Sequence, residues 1–230
     1  VLIFGALKVA PAYYLRLNGA NKERRHTAGL RLDAKMDGLS GGGAFYYQMG
    51  SVDVADPDKP GETKSGDIAA MLVAVDVGYA LENMAAKPAL KLFADYLPGD
   101  GKALSAFDTL YATNHKFYGE MDFFLNIPVH TKNRGLMDVG AQVKAAAHKK
   151  VDVLLTGHYL TTTKADDAGE KGLGTEVDVK VMVKVLPHVG VNVLAAVFLP
   201  GEGMRSIKGI DKDAKLDTEV FGYVTCDVNF

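Results

Sequence analysis

The sequence has no tryptophan, a single cysteine and no excess of basic residues. The lone Cys226 cannot form an internal disulfide framework. The formal net charge of −2 provides no basic surface for nucleic acid, so we expect no nucleic-acid partner. Although 48% of the residues are hydrophobic, no apolar run approaches the ~18 residues of a transmembrane helix. A membrane protein with this sequence would have to cross the bilayer with strands.

Motifs for catalysis and metal binding are also scarce. The sequence has no His-Glu-x-x-His, no P-loop and no Cys-x-x-Cys, and its six histidines lack metal-ligand spacing. The glycines at 41–43 predict a turn. Asp53, Asp56 and Asp58 lack the bidentate glutamate of an EF-hand and predict a solvated loop. We therefore expect no enzyme activity, no catalytic residue, no cofactor and no bound metal.

An unbroken alternation of valines and polar residues runs from Thr175 to Val185. Side chains alternate across a strand, so the odd-numbered valines share one face, and Glu176, Asp178, Lys180 and Lys184 share the other. A tilted transmembrane strand needs about 9–11 residues, and this run is long enough. A second strand follows after Pro187-His188, with its apolar face at Val191 to Leu199.

The stretch from Asp217 to Phe230 alternates in the same way, with Val220, Val224 and Val228 on its apolar face. A strand that ends on an aromatic residue resembles the closing strand of bacterial outer-membrane barrels. The chain opens without the charged and apolar segments of a signal peptide, so export would need a leader that has already been removed.

Turn signals divide the rest of the chain into further strands. The first predicted strand runs to Asn18-Gly19, with Val9, Tyr13, Leu15 and Leu17 on one face. The others are Arg25 to Asp37, Ala44 to Val52, Asp67 to Leu81, Pro88 to Tyr96, Phe117 to Val129, Leu136 to Ala147 and Val151 to Thr162. Short connections, such as those near Gly19–Lys22 and Asn133–Gly135, alternate with long polar ones. The fold class is therefore all-β, an antiparallel transmembrane β-barrel of about twelve strands. We expect one domain over residues 1–230, either complete or a truncated or downsized form of a larger barrel.

One segment resembles a known family closely. Residues 107–124 read Phe-Asp-Thr-Leu-Tyr-Ala-Thr-Asn-His-Lys-Phe-Tyr-Gly-Glu-Met-Asp-Phe-Phe, which is similar to a segment of the alginate export family of outer-membrane barrels. Tyr13-Tyr14-Leu15, residues 28–32, Gly78-Tyr79 and the Phe198-x-Pro200-Gly201 stretch agree with it. The resemblance covers essentially the whole chain and corresponds to the C-terminal part of longer members. It implies a barrel in the bacterial outer membrane that conducts an anionic polysaccharide.

If the apolar faces meet lipid, the opposite faces line a lumen whose charges set selectivity. The predicted pore-lining residues are Arg16, Arg31, Asp33, Lys35, Lys91, Asp95, Lys116, Glu120, Asp122, Lys144, Asp152, Lys180 and Lys184. An alternative is that these charges form cross-strand ion pairs that brace the wall. His115 is a candidate contact for an acidic sugar, with a hydrogen bond to a loop backbone as the alternative. The expected interfacial aromatic residues are Tyr13, Tyr96, Tyr159, Phe221, Tyr223 and Phe230.

These observations predict a monomeric outer-membrane channel, or porin, for passive diffusion of small polar solutes or an anionic polysaccharide such as alginate. Its expected partners are membrane lipid and the solute. Two alternatives stay open: a generic or engineered pore without a dedicated substrate, and a soluble β-barrel that binds an apolar ligand.

Overall fold

A computed structural model describes residues 2–4, 6–56, 59–102, 104–110 and 114–229, which form strands and two short helices. The strands are β1 (Leu2–Phe4), β2 (Leu7–Asn18), β3 (Glu23–Met36), β4 (Leu39–Ala55), β5 (Thr63–Ala80), β6 (Ala89–Pro98), β7 (Gly135–His148), β8 (Val151–Thr161), β9 (Gly172–Leu186), β10 (Val189–Pro200) and β11 (Glu219–Val228). The helices are α1 (Ile127–His130) and α2 (Gly203–Lys208). Within the described ranges, no helix is long and apolar enough to cross a membrane.

The eleven strands form one antiparallel sheet in which each strand pairs with its neighbours in sequence. β1 and β11 are the two edges, and among the described residues they do not pair with each other. The all-β antiparallel prediction is confirmed. The described residues form eleven strands where about twelve were expected, and within them the sheet is not closed into a barrel. The predicted strand Phe117 to Val129 is absent, and the short β1 was not counted separately.

The strand registers keep the apolar side chains on one face of the sheet. Val197 of β10 lies opposite Val177 of β9 and opposite Val220 of β11. All three valines are exposed on the outer face, whereas Ala196 and Phe198 of β10 are buried on the other face. The alternation predicted for the valine-rich strands is therefore confirmed. We call the apolar face convex and the opposite face concave, because the interior segment described below packs against the latter.

Aromatic residues are divided between the two faces. Tyr13, Tyr96 and Tyr159 are exposed on the convex face, as expected of interfacial residues. The same expectation is wrong for Phe221 and Tyr223, whose rings contact His115 on the concave face. They alternate with the outward-facing valines of β11, so the period of two turns them inward. Phe230 lies outside the described residues.

The connections differ in length at the two rims. One rim, the long-connection rim, carries the connections from β2 to β3, β4 to β5, β6 to β7, β8 to β9 and β10 to β11. The other, the short-turn rim, carries the connections from β1 to β2, β3 to β4, β5 to β6, β7 to β8 and β9 to β10. Most connections follow the predicted asymmetry, but the short connection at residues 19–22 lies on the long-connection rim, and residues 81–88 form a longer connection on the short-turn rim. However, Asn133–Gly135 ends a long connection and is not a hairpin turn.

The glycines at 41–43 belong to β4 and are not the predicted turn. The turn lies at Asp37 and Gly38, whose φ angles of 48° and 83° suit a tight hairpin. At Gly42, an added Cβ would lie 2.8 Å from both the Arg31 guanidinium and the Asp76 carboxylate. The missing side chain thus leaves room for an ion pair on the concave face.

Candidate functional site: the concave face and its interior segment

The connection from β6 to β7 packs against the concave face through its described residues, 99–102, 104–110 and 114–134, which are here called the interior segment. Tyr118, Phe124 and Ile127 of this segment are buried in the main apolar cluster. The sheet residues of that cluster come from β5 to β10, at the end near the long-connection rim; they are Ala70, Leu97, Leu136, Leu160, Leu173 and Phe198. The sheet therefore curves around the interior segment.

Backbone conformation explains why this segment is not the predicted strand. Its non-glycine residues with positive φ include Leu104, Leu110, His115, Tyr118, Asp122, Lys132 and Asn133. Such angles are incompatible with an extended strand. The Thr109 hydroxyl also donates a hydrogen bond to the Leu125 carbonyl, which folds the segment back on itself. Its alternating aromatic residues follow a pattern typical of strands, but they fill the interior.

Asp108 ties the interior segment to β2, β3 and β4. Its carboxylate lies 3.2 Å from Arg16 Nη1 and 3.5 Å from Arg25 Nη2. The Gln48 side chain accepts from the Asp108 N–H at 2.9 Å and donates to the Asp108 carbonyl at 2.8 Å. The buried Arg25 also donates to Glu23 at 2.7 Å. This wall therefore holds both guanidinium groups in a paired network, in which Arg25 is buried and Arg16 is partly exposed.

A cavity of about 350 Å³ lies beside this network. Its lining residues are Arg16, Arg25, Leu104, Ala106, Asp108, Leu110, Asn126, Pro128, Val129 and Asn133. Guanidinium groups match the planar geometry of carboxylates. The site can therefore hold an anionic group where Asp108 now interacts.

Glu120 ties the interior segment to the other side of the sheet. Its carboxylate accepts from Lys180 Nζ of β9, and the Tyr223 hydroxyl of β11 donates to it at 2.9 Å. His115 lies nearby, with its ring centroid 4.9 Å from that of Tyr223. The segment therefore bridges two groups of strands that are far apart in the order of the sheet.

The predicted ligand contact His115 makes local interactions. Its ring Nδ1 lies 2.7 Å from the Glu120 carbonyl oxygen and 3.0 Å from an Asp122 carboxylate oxygen. Its backbone N–H donates a hydrogen bond to the Asp122 carboxylate at 2.7 Å. The backbone interaction that we gave as the alternative is present. Contact with an acidic sugar stays a prediction.

The wall formed by β7, β8 and β9 is acidic. His158 Nδ1 lies 2.8 Å from an Asp138 carboxylate oxygen, and its Nε2 lies 3.7 Å from Asp178. Glu176 accepts from the Met121 N–H at 2.9 Å. Burial raises the pKa of the Tyr118 hydroxyl above its usual range, and the negative charges of Asp95 and Asp138 raise it further. Tyr118 therefore remains a neutral phenol against this wall.

Several predicted pore-lining residues form ion pairs on the concave face closer to the short-turn rim. Arg31 donates to Asp33 at 2.5 Å and to Asp76 at 3.2 Å. Lys91 lies 3.8 Å from the same Asp76 carboxylate, and Lys144 lies 3.2 Å from Asp152. Arg31–Asp33 and Lys144–Asp152 therefore join oppositely charged members of the predicted set, whereas Arg31 and Lys91 also meet Asp76, which was not in that set.

The remaining predicted residues are dispersed. Lys35 is exposed and lies 3.7 Å from Glu82, Lys184 is exposed near the end of β9, and Asp95 pairs in register with Asp138. Lys116, Glu120 and Asp122 belong to the interior segment and not to a strand. Lys116 is exposed, with its Nζ 5.2 Å from the Phe117 ring centroid.

Sequence reasoning missed Arg25 and Gln48 as concave-face residues. Arg25 has the same parity as Arg31 on β3, so extending the alternation would have found it. Gln48 carried no such signal, because a neutral amide among Tyr46, Tyr47 and Met49 has no obvious partner in sequence.

A Gly-x-Ser-x-Gly spelling at residues 38–42 was also missed. A nucleophile elbow places its serine between a strand and a helix. Ser40 instead lies in β4 and donates to the Gly78 carbonyl at 3.4 Å. Of the aspartates at 53, 56 and 58, Asp53 pairs with Lys22 and Asp56 with Lys64, while Asp58 lies outside the described residues. The described residues contain no cluster of acidic, histidine or cysteine side chains suited to a metal.

Comparison with known proteins agrees with this architecture. The family model for alginate export matches residues 7–215. The structure is similar to that of OmpT (in-vitro folded), an outer membrane protein of Vibrio cholerae, with a TM-score of 0.51 and 12% identity over 98% of this chain. This chain spans 62% of the length of that chain. No curated protein matches the sequence.

The low identity means that the structural likeness concerns the fold alone. The family match covers most of the chain, including β2 to β10 and the interior segment. Together, the family match and the barrel-like fold assign the protein to the bacterial outer membrane. The chain belongs to the alginate export family.

Proposed function

We propose that this chain forms the wall of an outer-membrane channel for passive diffusion of small polar or anionic solutes, including an anionic polysaccharide such as alginate. The observation that carries this proposal is the separation of the faces. The convex face carries exposed apolar residues such as Val179 and Val193, and the concave face carries the charged networks. An apolar face suits lipid, and a charged face suits a hydrated path. The long-connection rim faces outward from the cell in this proposal, because extracellular loops are the longer ones in such barrels.

Passage of an anionic chain requires electrostatic guidance and no covalent step. Arg16 and Arg25 border the cavity and interact there with the carboxylate of Asp108. A solute carboxylate makes the same bonds when it takes the place of Asp108, so binding and release are closely balanced. We further propose that the protein works as a monomer in membrane lipid and has no enzyme activity.

A pore without a dedicated substrate is the second candidate. The ion pairs Arg31–Asp33 and Lys144–Asp152 favour it, because paired charges contribute little net field to an aqueous path. The two candidates differ in how the pore responds to a polyanion.

Conductance of the protein in a planar bilayer tests both candidates. We expect steady ohmic steps, anion preference from the reversal potential, and block by oligouronate but not by a neutral oligosaccharide of equal length. Arg16→Gln is expected to weaken the block, whereas Lys35→Gln, which changes an exposed lysine elsewhere on the concave face, leaves it unchanged. Conductance that is indifferent to oligouronate would favour the unspecific pore. Absence of any conductance from protein shown to be inserted would refute both.

A further inference from the structure

Two acidic side chains of β9 are buried with unusually few partners. Glu176 and Asp178 are 0% and 3% exposed. Within the described residues, neither carboxylate oxygen of Asp178 accepts a hydrogen bond, nor does Oε2 of Glu176. A buried carboxylate that lacks hydrogen bonds is strongly disfavoured in its charged form. The two side chains are two residues apart on one strand, so they share the concave face.

Charges on the neighbouring strands do not neutralise this pair. His158 of β8 lies between Asp138, at 2.8 Å, and Asp178, at 3.7 Å. Asp95 of β6 faces Asp138 in register and adds a further acid. Three buried carboxylates therefore surround a single imidazole, with a fourth beyond them.

The other elements packed against the pair supply no free cation among the described residues. Lys180 of β9 is bound to Glu120, which also accepts from Tyr223 of β11. The inward-facing residues of β10 near this point, Ala196 and Phe198, are apolar. One of the two negative charges of the pair thus has to be removed in another way.

The pair also supports the interior segment directly. Glu176 Oε1 accepts from the Met121 N–H at 2.9 Å. Gly119 lies so close that an added Cβ would be 2.5 Å from Glu176 Cδ. Water has no space to solvate Glu176 while residues 118–121 remain there.

We propose that Glu176 and Asp178 share a bound proton and that this proton holds residues 118–121 of the interior segment in place. Adjacent carboxylates cannot both ionise easily, and a shared proton removes their repulsion. When alkaline pH removes it, both groups need water, and the segment leaves the concave face to admit that water. The proton site is thus a pH-dependent latch on the segment.

Hydrogen exchange at the Met121 amide tests the latch directly in the detergent-solubilised full chain. After correction for the intrinsic exchange rate, we expect protection of residues 115–124 to decrease between about pH 6 and pH 9. A single linked proton limits the change to about tenfold per pH unit. Protection that stays constant over this range would overturn the proposal.

Three variants identify the groups responsible. Asp178→Asn and Glu176→Gln each remove one of the two charges, so both are expected to keep the segment protected at alkaline pH. Asp152→Asn changes a concave-face aspartate that is paired with Lys144, and should retain the wild-type pH dependence. If one of the first two variants fails to fold, the other decides. If folded Asp178→Asn or folded Glu176→Gln shows the same pH dependence of hydrogen-exchange protection as the wild type, the shared proton is refuted.

Conductance gives a second readout, which rests on the proposed channel function. Wild-type conductance is expected to rise at alkaline pH, and that of Asp178→Asn to remain level. Exchange that depends on pH in a protein without conductance would support the latch and count against the channel. A protein that conducts but whose hydrogen exchange does not depend on pH would support the channel and count against the latch.

Discussion

Replacing Gly119 by alanine should release the interior segment without unfolding the sheet. Gly119 has a φ of +95°, and its Cα faces the Glu176 carboxylate that accepts from the Met121 N–H. Gly169, in the connection between β8 and β9, provides a matched control. Its φ is +88°, but an added Cβ there would meet nothing within 4 Å.

The expected magnitude follows from comparing the two sites. A side chain in the left-handed region costs about 1–2 kcal/mol at either position. At Gly119 the new Cβ must also displace Glu176, which breaks a hydrogen bond to a charged group worth about 1.5–3 kcal/mol. The difference between the variants is this second contribution. It corresponds to an increase of about 10- to 150-fold in the released population of the segment.

Hydrogen exchange of residues 115–124, measured at one pH in the same detergent, reports that population. We expect Gly119→Ala to lose protection there while the amides of β9 and β10 stay protected. Gly169→Ala should match the wild type in residues 115–124. Equal protection in the two variants would refute the reasoning, because it would mean that the Glu176 contact does not hold the segment.

Three further predictions concern the walls, the helix α1 and the outer face. Arg25→Gln leaves the buried Glu23 with Arg16, 3.5 Å away and partly exposed, as its cationic partner, and should destabilise the protein by up to about 3–5 kcal/mol in thermal unfolding. Loss of the exposed Lys35–Glu82 pair should change stability by less than about 1 kcal/mol. Burial, and then the positive charge of Lys208, lowers the pKa of His130 in α1, so the folded state favours the neutral ring. The stabilisation from the neutral His130 ring is complete above the unfolded pKa of about 6.5 and decreases as the pH falls through that value. Hydrogen exchange of the amides of residues 126–132 should therefore increase under acid in the wild type but not in His130→Gln. Val179→Arg, on the convex face, should reduce folding into vesicles by about 2–4 kcal/mol, measured by heat-modifiable gel migration, while Met182→Arg on the concave face of the same strand should have a smaller effect.

The sequence predicted most strands correctly because a strand repeats every two residues. Thr175 to Val185 and Val151 to Thr162 were placed within a few residues of β9 and β8. The same alternation identified the faces of β9, β10 and β11, since burial on one side leaves a polar and an apolar register.

The interior segment was misread for a physical reason. Its aromatic residues are spaced like those of a strand, yet positive φ angles at Tyr118 and Asp122 turn the backbone away from an extended path. β6 pairs directly with β7, so no space remained in the sheet for a further strand. The same apolar spacing fits a strand of the sheet or a folded segment that fills the interior, and only the three-dimensional packing decides between them.

For the charged residues, the sequence predicted the face of the sheet but not the partner. Alternation alone was enough to place Arg16, Arg31 and Lys180 on the charged face of their strands. The bonds from Asp108 to Arg16, and from Glu120 to Lys180 and Tyr223, join residues that are 60 to 103 positions apart. Local periodicity carries no information over such separations. The sequence by itself determined the strands and their two faces, and the tertiary structure alone decided which charges meet, because that depends on how the sheet curves around the interior segment.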